Sequence, residues 1–371
     1  RATIYVMYRH RQTFVRCFTK EFSLNFKGVK LVKNNKRSFA VGVSLVAAAA
    51  LALTGAQSSQ AASKKLSQIK IAAVVKGLDN PYFISVKAGI VDTAKALGVT
   101  ANVQAAPGLN DDVGQANKLD ALASQNYDCY IVIPISSNNL SQGLGKVTKA
   151  GHPIINIDSP VDPASLAAAG GKISSFAGTD NKAAGVAGGK SLAKLVGAGK
   201  KIGLIAGLAG NVTSNARIDG FKAGAAGEKF VGPVNADWDT TKALDAANQM
   251  LVANPDLAGF FAANDQMAQG IAKAVAAAGK KIPVYGVDGI MDNLTLIKNG
   301  SVAASVSQYP YVMGKMGVEA CVVLAQGGKV PAWTITPHAV IDKSNIDAAL
   351  KTKNNLPPGG YNDPYAALIK K

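Results

Sequence analysis

The sequence has few of the residues that build disulfide frameworks and metal centres. Of its 371 residues, three are Cys and three are His, and aromatic residues make up 6%. So few cysteines exclude a small scaffold that is held together by disulfides. Neither His152 nor His338 has a His, a Cys or a carboxylate cluster at the spacing of metal ligands, so no metal site is predicted.

Motifs for catalysis and for cofactor binding are also missing. No Gly-x-Ser-x-Gly turn occurs, so a hydrolase nucleophile lacks its usual position. The segment Ala184–Ser191 lacks only the first Gly of a phosphate-binding loop, but it lies in a run of small residues that predicts a helix starting at Asp180. We therefore expect no cofactor, no catalytic residue and no enzymatic activity.

The positive charge of the chain is concentrated at its start. Residues 1–61 contain ten Lys or Arg and one acid, Glu21, which leaves +8 of the formal +17 for residues 62–371. The remaining basic residues are scattered, as on a solvated surface, and form no stripe that could follow a phosphate backbone. No nucleic-acid partner is predicted.

The N-terminal extension is predicted to end in a cleavable signal peptide. Basic Lys30–Arg37 precedes apolar Phe39–Leu53 and the small residues of Ser59–Ala61, which is the order of a secretory signal. The apolar run is shorter than the roughly 20 residues of a membrane span, and no Cys follows it to carry a lipid. We expect translation to start near Val29 or Leu31 and the mature protein to be periplasmic.

Two cysteines follow the predicted signal peptide. Cys129 lies in an apolar run typical of a strand, and Cys321 lies in one typical of a helix. Because a chain of this length can bury a large core without cross-links, we predict two buried thiols rather than a disulfide.

Short β-rich segments alternate with longer amphipathic segments along the rest of the chain. Buried strands that alternate with helices indicate parallel sheets with helices on both faces. The first predicted series is strand Ile69–Val75, helix Pro81–Leu97, strand Ala101–Ala105, helix Asp111–Gln125, strand Asp128–Ile133, helix Asn139–Ala150 and strand Pro153–Ile157. After a glycine-rich loop the second series is strand Lys200–Ala206, helix Ser214–Ala226, strand Phe230–Asn235, helix Thr241–Ala253, strand Ala258–Phe261, helix Asp265–Ala278 and strand Pro283–Val287. The chain then continues through strand Val302–Ser307, helix Tyr311–Ala325 and strand Thr334–Thr336.

This pattern predicts an α/β fold with two Rossmann-like lobes that have parallel sheets and a three-segment hinge. The last three elements exceed what a second lobe needs, so we expect the chain to cross between lobes near Phe176, Gln308 and Pro337. The predicted parts are an N-terminal lobe of residues 62–176 plus 309–336, a C-terminal lobe of residues 177–308 plus 337–350, and a tail of residues 351–371. Within the tail, Asn354–Asn362 is rich in Asn, Pro and Gly, so we expect this segment to be loosely held.

Polar and aromatic side chains follow the predicted strands and begin the predicted helices. At the carboxyl ends of parallel strands, such side chains point into the crevice where α/β proteins bind ligands. The candidates are Asn80, Tyr82, Phe83, Asp158, Arg217, Trp238, Asn264, Asp288 and Gln308. Amides, carboxylates, a guanidinium and aromatic faces together suit a neutral polyhydroxyl ligand.

Each candidate also has a purely structural alternative. Asp158 and Asp288 could cap turns, and Asn264 could be the N-cap of the helix that follows it. The aromatic residues could belong to the core. The residues taken one at a time do not decide between these alternatives.

Several segments around these residues follow one another in a specific order. They are Leu78–Phe83, Ile157-Asp158, Gly207–Gly210, Arg217–Phe221, Ala236–Asp239, Ala263–Ala268, Gly286–Gly289 and Ser307-Gln308. In this order they resemble the ribose-binding branch of the periplasmic sugar-binding proteins of ABC importers, over about residues 69–340. The resemblance implies the type I periplasmic binding protein fold, polar candidates that bind ligand hydroxyls, and aromatic candidates that sandwich the ligand ring.

Two positions depart from the ribose pattern and join the candidate site. Lys76 stands where a small hydroxyl residue is usual, and Ser159 stands where an Arg follows the Asp. We expect the Lys to lie on the opposite rim from the lost Arg, so that positive charge moves within the pocket. A pentose, a hexose or a sugar alcohol would each suit the site.

The sequence therefore predicts a monomeric periplasmic solute-binding protein that closes around a small neutral sugar or polyol and delivers it to the membrane permease of an ABC transporter. Two other functions stay open: a ligand carrier for a chemoreceptor and, with less support, an exported sugar-processing enzyme. A sugar-sensing transcription regulator would need a helix-turn-helix before the first lobe, where this sequence has a secretion signal.

Overall fold

The computed structural model describes residues 63–351, 354–357 and 360–371. The predicted signal peptide lies outside these residues. The strands are β1 (Lys70–Val75), β2 (Thr100–Ala105), β3 (Cys129–Val132), β4 (Ile154–Ile157), β5 (Ser175–Gly178), β6 (Lys201–Ala206), β7 (Lys229–Asn235), β8 (Leu257–Ala262), β9 (Val284–Asp288), β10 (Ala304–Ser307), β11 (Trp333–Ile335) and β12 (Ala339–Asp342). The α-helices are α1 (Pro81–Leu97), α2 (Asp112–Ala123), α3 (Ser141–Lys149), α4 (Pro163–Ala168), α5 (Asn181–Val196), α6 (Val212–Gly224), α7 (Thr240–Ala253), α8 (Asp265–Ala277), α9 (Met291–Asn299), α10 (Pro310–Ala325) and α11 (Ile346–Ala349). Among these helices, none is long and apolar enough to cross a membrane.

The strands form two six-stranded sheets with the same winding. Their orders are β11-β5-β4-β3-β1-β2 and β12-β10-β9-β8-β6-β7. In each sheet the first strand of the series lies second from an edge, and the chain winds outward from it in both directions. Ligands bind at the carboxyl ends of strands in such sheets, where the winding direction reverses.

The chain passes between the two sheets three times. It leaves the first sheet after β5, returns after β10, and leaves again between β11 and β12. The hydroxyls of Thr179 and Thr336 lie 3.1 Å apart beside the first and third crossings. The predicted fold class, two α/β lobes joined by a three-segment hinge, is confirmed.

Helix α1 shows how the local sequence sets the bounds of an element. The Asn80 side chain accepts a hydrogen bond from the Tyr82 backbone N–H, and Pro81 occupies the first helical position. Both are strong start signals. At the other end Gly98 has φ 71°, the left-handed conformation that commonly ends helices. The observed helix has the predicted bounds.

Glycines bring α5 and α6 into backbone contact. A Cβ on Gly185 would lie 2.2 Å from the carbonyl oxygen of Arg217, and a Cβ on Gly220 would lie 2.1 Å from that of Lys182. The segment Ala184–Ser191 is therefore helical, as predicted, and its small residues serve close helix packing.

Cys129 and Cys321 form a disulfide, so the prediction of two buried thiols is wrong. Both residues are fully buried, and their Cα atoms are 5.5 Å apart. The bridge joins β3 to α10 across 192 residues of sequence. The two positions meet because the chain returns to the first lobe after β10, which a local sequence pattern does not report.

Several short elements were not predicted, and the expectations of a wholly parallel second sheet and of a loosely held tail segment are wrong in part. The elements missing from the sequence analysis are β5, β12, α4, α9 and α11. Strand β12 pairs antiparallel with β10, so the second sheet is not wholly parallel. The segment Asn354–Asn362 is not loosely held at Asn355, which is 2% exposed and donates to the Gly289 carbonyl at 2.8 Å.

Candidate ligand-binding site

A cavity of about 500 Å³ is lined by residues from both lobes at the carboxyl ends of the two sheets. Its volume falls within the roughly 300–1,000 Å³ of small-molecule sites. Every candidate site residue lines it: Lys76, Asn80, Tyr82, Phe83, Asp158, Ser159, Arg217, Trp238, Asn264, Asp288 and Gln308. Residues that are far apart in sequence but follow strands therefore line one cavity, as expected for the carboxyl ends of parallel strands.

Asp158 is the central carboxylate on the side of the first lobe. It directly follows β4 and has φ 63°, a left-handed conformation that is uncommon for a residue with a side chain. The Tyr82 hydroxyl donates to its Oδ1 at 2.9 Å, and the Ser159 hydroxyl donates to its Oδ2 at 2.8 Å. A carboxylate accepts about four hydrogen bonds, so Asp158 keeps capacity for ligand hydroxyls.

Lys76 extends this network. Its Nζ donates to the Ser159 hydroxyl oxygen at 2.9 Å and lies 5.4 Å from the centre of the Phe83 ring. The expectation that Lys76 and Ser159 lie on opposite rims is therefore wrong. Burial lowers the pKa of Lys76, and the Asp158 carboxylate opposes that shift.

Asp288 is the corresponding carboxylate on the second lobe. It ends β9 with φ 135° and is 5% exposed. Arg217 Nη1 lies 3.3 Å from its Oδ1, and Gln308 Nε2 donates to the same oxygen at 2.6 Å. Burial raises the pKa of Asp288, while the Arg217 guanidinium acts to lower it.

Arg217 is held from several sides. Its Nε donates to the Asn181 side chain at 2.8 Å, and its Nη1 donates to the Ala263 carbonyl at 2.7 Å. Its guanidinium carbon lies 6.0 Å from the Trp238 ring centre. Asn181 begins α5, so the close packing of α5 on α6 also places the partner that orients this guanidinium.

The position of the Trp238 ring depends on the absence of a side chain at Gly207. A Cβ on Gly207 would lie 2.3 Å from the indole ring, so the ring occupies space that only glycine leaves open. Trp238 itself has φ 64°. An aromatic face held in this way can cover the apolar side of a sugar ring.

Asn80 and Asn264 are both N-caps and cavity-lining residues. The side-chain Oδ1 of Asn80 accepts from the Tyr82 N–H at 2.9 Å, and the Oδ1 of Asn264 accepts from the Met267 N–H at 2.9 Å. The structural alternative for Asn264 is therefore realised. It does not exclude ligand binding, because each cap uses the amide oxygen and leaves the NH₂ group as a donor.

Several lining residues were missed by the sequence analysis. They are Leu109, Asn110, Asp112, Ile135, Ser136, Ser137 and Leu208–Thr213. Ser136 and Ser137 follow β3, and the loop that starts at Leu208 follows β6. These loops could have been found from the sequence by taking the residues after every predicted strand as candidates. Asp112 at the start of α2 accepts from the Ser136 N–H at 3.2 Å, so it also supports the β3 loop.

The cavity combines two cations and three carboxylates with many hydrogen-bonding groups. Lys76 and Arg217 face Asp158 and Asp288, and each cation is linked to the carboxylate of its own lobe. The aromatic rings supply apolar faces beside these polar groups. Such a site can bind the hydroxyls and the ring face of an uncharged sugar from two sides.

Comparisons with known proteins agree with this architecture. The family described as "Periplasmic binding protein domain" matches residues 71–329. This chain therefore belongs to the periplasmic binding protein family.

Its relatives include named sugar-binding proteins. The D-allose-binding periplasmic protein of Escherichia coli (strain K12) is 38% identical over 266 residues, which cover 70% of this chain and 85% of that protein. The ribose import binding protein of Bacillus subtilis (strain 168) is 32% identical over 277 residues, which cover 74% and 87%. An ABC transporter periplasmic solute-binding protein from Actinobacillus succinogenes 130z, crystallised with bound D-allose, has a TM-score of 0.72 and 30% identity, and the match covers 76% of this chain and all of that one.

Proposed function

We propose that this protein captures a neutral monosaccharide or sugar alcohol between its lobes and delivers it to the permease of an ABC importer. The observation that carries the proposal is the placement of Asp158 and Asp288, which come from different lobes and line one cavity. A ligand that bonds to both carboxylates binds the closed arrangement of the lobes better than an open one, so it stabilises closure.

The ligand is uncharged because both cations of the site and two of its three carboxylates are already linked to one another, while the third carboxylate, Asp112, accepts from the Ser136 N–H. Lys76 is linked through Ser159 to Asp158, and Arg217 is linked directly to Asp288. An anionic or cationic ligand would have to disrupt one of these links. A polyol can instead use the remaining lone pairs and N–H groups without a change in charge.

D-allose is the first sugar to test, and D-ribose is the second. Relatives named for D-allose and for ribose share 38% and 32% identity with this chain. Lys76 and Ser159, which depart from the ribose pattern, favour a ligand other than ribose. The eleven candidate residues named in the sequence analysis are the proposed ligand contacts.

The remaining parts of the proposal concern the whole protein. We assign residues 62–176 plus 309–336 to one lobe and residues 177–308 plus 337–350 to the other. The protein is exported by its signal peptide, acts in the periplasm as a monomer, and binds its sugar without turnover.

The experiment is a thermal-shift screen of the exported protein against pentoses, hexoses and polyols, followed by calorimetry. A ligand at about 100 times its Kd stabilises the folded state by about 2.7 kcal/mol, which gives a clear shift. A dissociation constant in the micromolar range or below for at least one neutral sugar supports the proposal. No shift with any sugar, or chemical conversion of the sugar, would contradict it.

A further inference from the structure

The C-terminal tail has an anchor on each lobe. Its Asn355 side chain contacts the second lobe, and residues from Asp363 onward contact the first. The family match ends at residue 329, before this tail begins. The tail therefore connects the lobes in addition to the three hinge crossings.

On the second lobe, the tail contacts the neighbours of two proposed ligand contacts. The Asn355 amide nitrogen donates to the Gly289 carbonyl at 2.8 Å and to the Ser307 hydroxyl oxygen at 2.8 Å. Gly289 directly follows Asp288, and Ser307 directly precedes Gln308. Because Asn355 is only 2% exposed, water cannot easily replace these bonds.

The Asn355 bonds complete the support of a strained turn. Asp288 has φ 135°, which a residue with a side chain rarely adopts, so the backbone here needs external contacts to hold it, whereas the φ of 75° at Gly289 suits glycine. The Gly289 N–H donates to the buried Asp265 carboxylate at 2.8 Å, and its carbonyl accepts from Asn355. The peptide group before Gly289 is held by Asp265 of α8, and the one after it is held from both lines of support, since the Ile290 N–H donates to Asp265 at 3.0 Å while the Gly289 carbonyl accepts from Asn355 of the tail.

On the first lobe, the tail packs against α10 and β11. Tyr365 is fully buried in the core of this lobe, and its hydroxyl lies 2.7 Å from that of Thr334. Asp363 pairs with Lys315 of α10. The Lys370 backbone N–H donates to the Gln326 side chain at 2.8 Å.

We propose that the tail belongs to the ligand-binding apparatus, with Asn355 as a positioning residue that holds Asp288 and Gln308 in place and the Tyr365 anchor tying this support to the first lobe. The proposal rests on the proposed function, since it assigns Asn355 to the same sugar site. Asn355 does not line the cavity, so it acts through the two turns that carry the ligand contacts.

The test compares Asn355→Asp and Asn355→Ala with Asn362→Asp, all in the full exported protein. Asn355→Asp keeps the side-chain shape but turns the donor into an acceptor that faces a carbonyl oxygen, so it should be the more damaging change. Asn362 is an exposed residue of the same tail, and its change to Asp is a matched control. With D-allose as the probe, calorimetry should show about tenfold weaker binding for Asn355→Ala and more for Asn355→Asp, because two buried hydrogen bonds are lost.

A second measurement does not require a sugar. Amide hydrogen exchange without ligand should become faster at Gly289 and Gln308 in both Asn355 variants and in Tyr365→Ala, but not in Asn362→Asp. Tyr365→Phe keeps the buried ring and should behave like the unchanged protein. If an Asn355 variant is too unstable to purify, the exchange rates of Tyr365→Ala and Tyr365→Phe are compared instead.

The two measurements separate the two proposals. If the unchanged protein does not bind D-allose or any other sugar, the proposed function fails, and the exchange comparison still decides whether the tail supports the turn. Unaltered exchange at Gly289 and Gln308 in the Asn355 variants overturns the inference. Faster exchange with unaltered sugar affinity overturns the positioning role.

Discussion

The ammonium group of Lys76 lies 2.9 Å from the hydroxyl oxygen of Ser159, so the two positions that depart from the ribose pattern form one unit. The Ser159 hydroxyl in turn donates a hydrogen bond to Oδ2 of Asp158 at 2.8 Å. In the ribose pattern an Arg places a positive charge beside Asp158. Here Lys76, which directly follows β1, supplies that charge. Ligand preference is therefore expected to depend on this part of the first lobe.

Replacing Lys76 with Met should change the pH dependence of stability. Burial lowers the pKa of Lys76 from its ordinary value of 10.5, so the unfolded chain holds this proton more tightly than the folded protein does. The contribution of Lys76 to the free energy of unfolding is therefore fully present above pH 10.5 and is lost as the pH falls through the lowered folded-state pKa. Relative to the Lys76→Met variant, the unchanged protein should gain stability between pH 7 and pH 10.

Chemical denaturation at several pH values measures this difference. The exposed Lys95 gives the matched control, since Lys95→Met removes the same charge without a buried site. A stability difference between the unchanged protein and Lys76→Met that is the same at pH 7 and pH 10 would contradict the lowered pKa of Lys76. Lys76→Met should also alter the ranking of sugars in the thermal-shift screen.

Removing the Asp288 carboxylate should abolish tight binding. Asp288→Ala leaves the Arg217 guanidinium and the Gln308 amide without their shared acceptor, and it removes a proposed ligand contact. A hydrogen bond to a charged group contributes about 1.5–3 kcal/mol, so each bond lost between Asp288 and a ligand hydroxyl should weaken binding by roughly tenfold to a hundredfold. Asp245→Asn, at an exposed position, should leave the affinity unchanged. An unchanged dissociation constant for Asp288→Ala in calorimetry would rule out its role.

The contact between α5 and α6 should matter for sugar binding as well as for stability. In Gly185→Ala the new Cβ would lie 2.2 Å from the Arg217 carbonyl oxygen, so the helices must move apart. Overpacking of this kind costs about 1–3 kcal/mol, and the displaced Arg217 should bind ligand less well. Gly227→Ala places its Cβ in open space and is the control. Equal melting temperatures and equal affinities for the two variants would contradict the account.

The disulfide should stabilise the first lobe strongly. A bridge across 192 residues restricts the unfolded chain, and the chain-entropy account gives up to about 5 kcal/mol for such a loop. The double variant Cys129→Ala, Cys321→Ala should therefore have a much lower melting temperature. A reductant should lower the melting temperature of the unchanged protein but not that of the double variant. Thiol titration of the denatured, unreduced exported protein should find no free thiol, and two reactive thiols per chain would show that the bridge is absent.

Much of the fold could be predicted because its signals are local. The bounds of α1 follow from Asn80, Pro81 and Gly98, which act within one turn of the helix ends. The antiparallel pairing of β12 could not be predicted, because the direction of this strand depends on where the third crossing enters the second sheet. The same return of the chain decides that Cys129 meets Cys321.

Part of the cavity lining was predictable from the sequence, but its arrangement was not. Asp158 and Asp288 follow strands, and that position alone predicts that they face a crevice. The place of Lys76 depends on the strand order β4-β3-β1. In this order β1, which ends just before Lys76, lies two places from β4, which ends just before Asp158 and Ser159. A lysine side chain is long enough to span that distance, but the order of the strands in the sheet cannot be read from the sequence. The role of Asn355 was missed for a related reason, since a tail rich in Asn, Pro and Gly gives no local signal of its contacts.

The most direct test of the central claim is a crystal structure of residues 62–371 with D-allose. The account predicts one sugar in the cavity between the lobes, with hydroxyls that donate to both Asp158 and Asp288 and a ring face against Trp238. A sugar bound elsewhere, or one that contacts a single lobe, would contradict it.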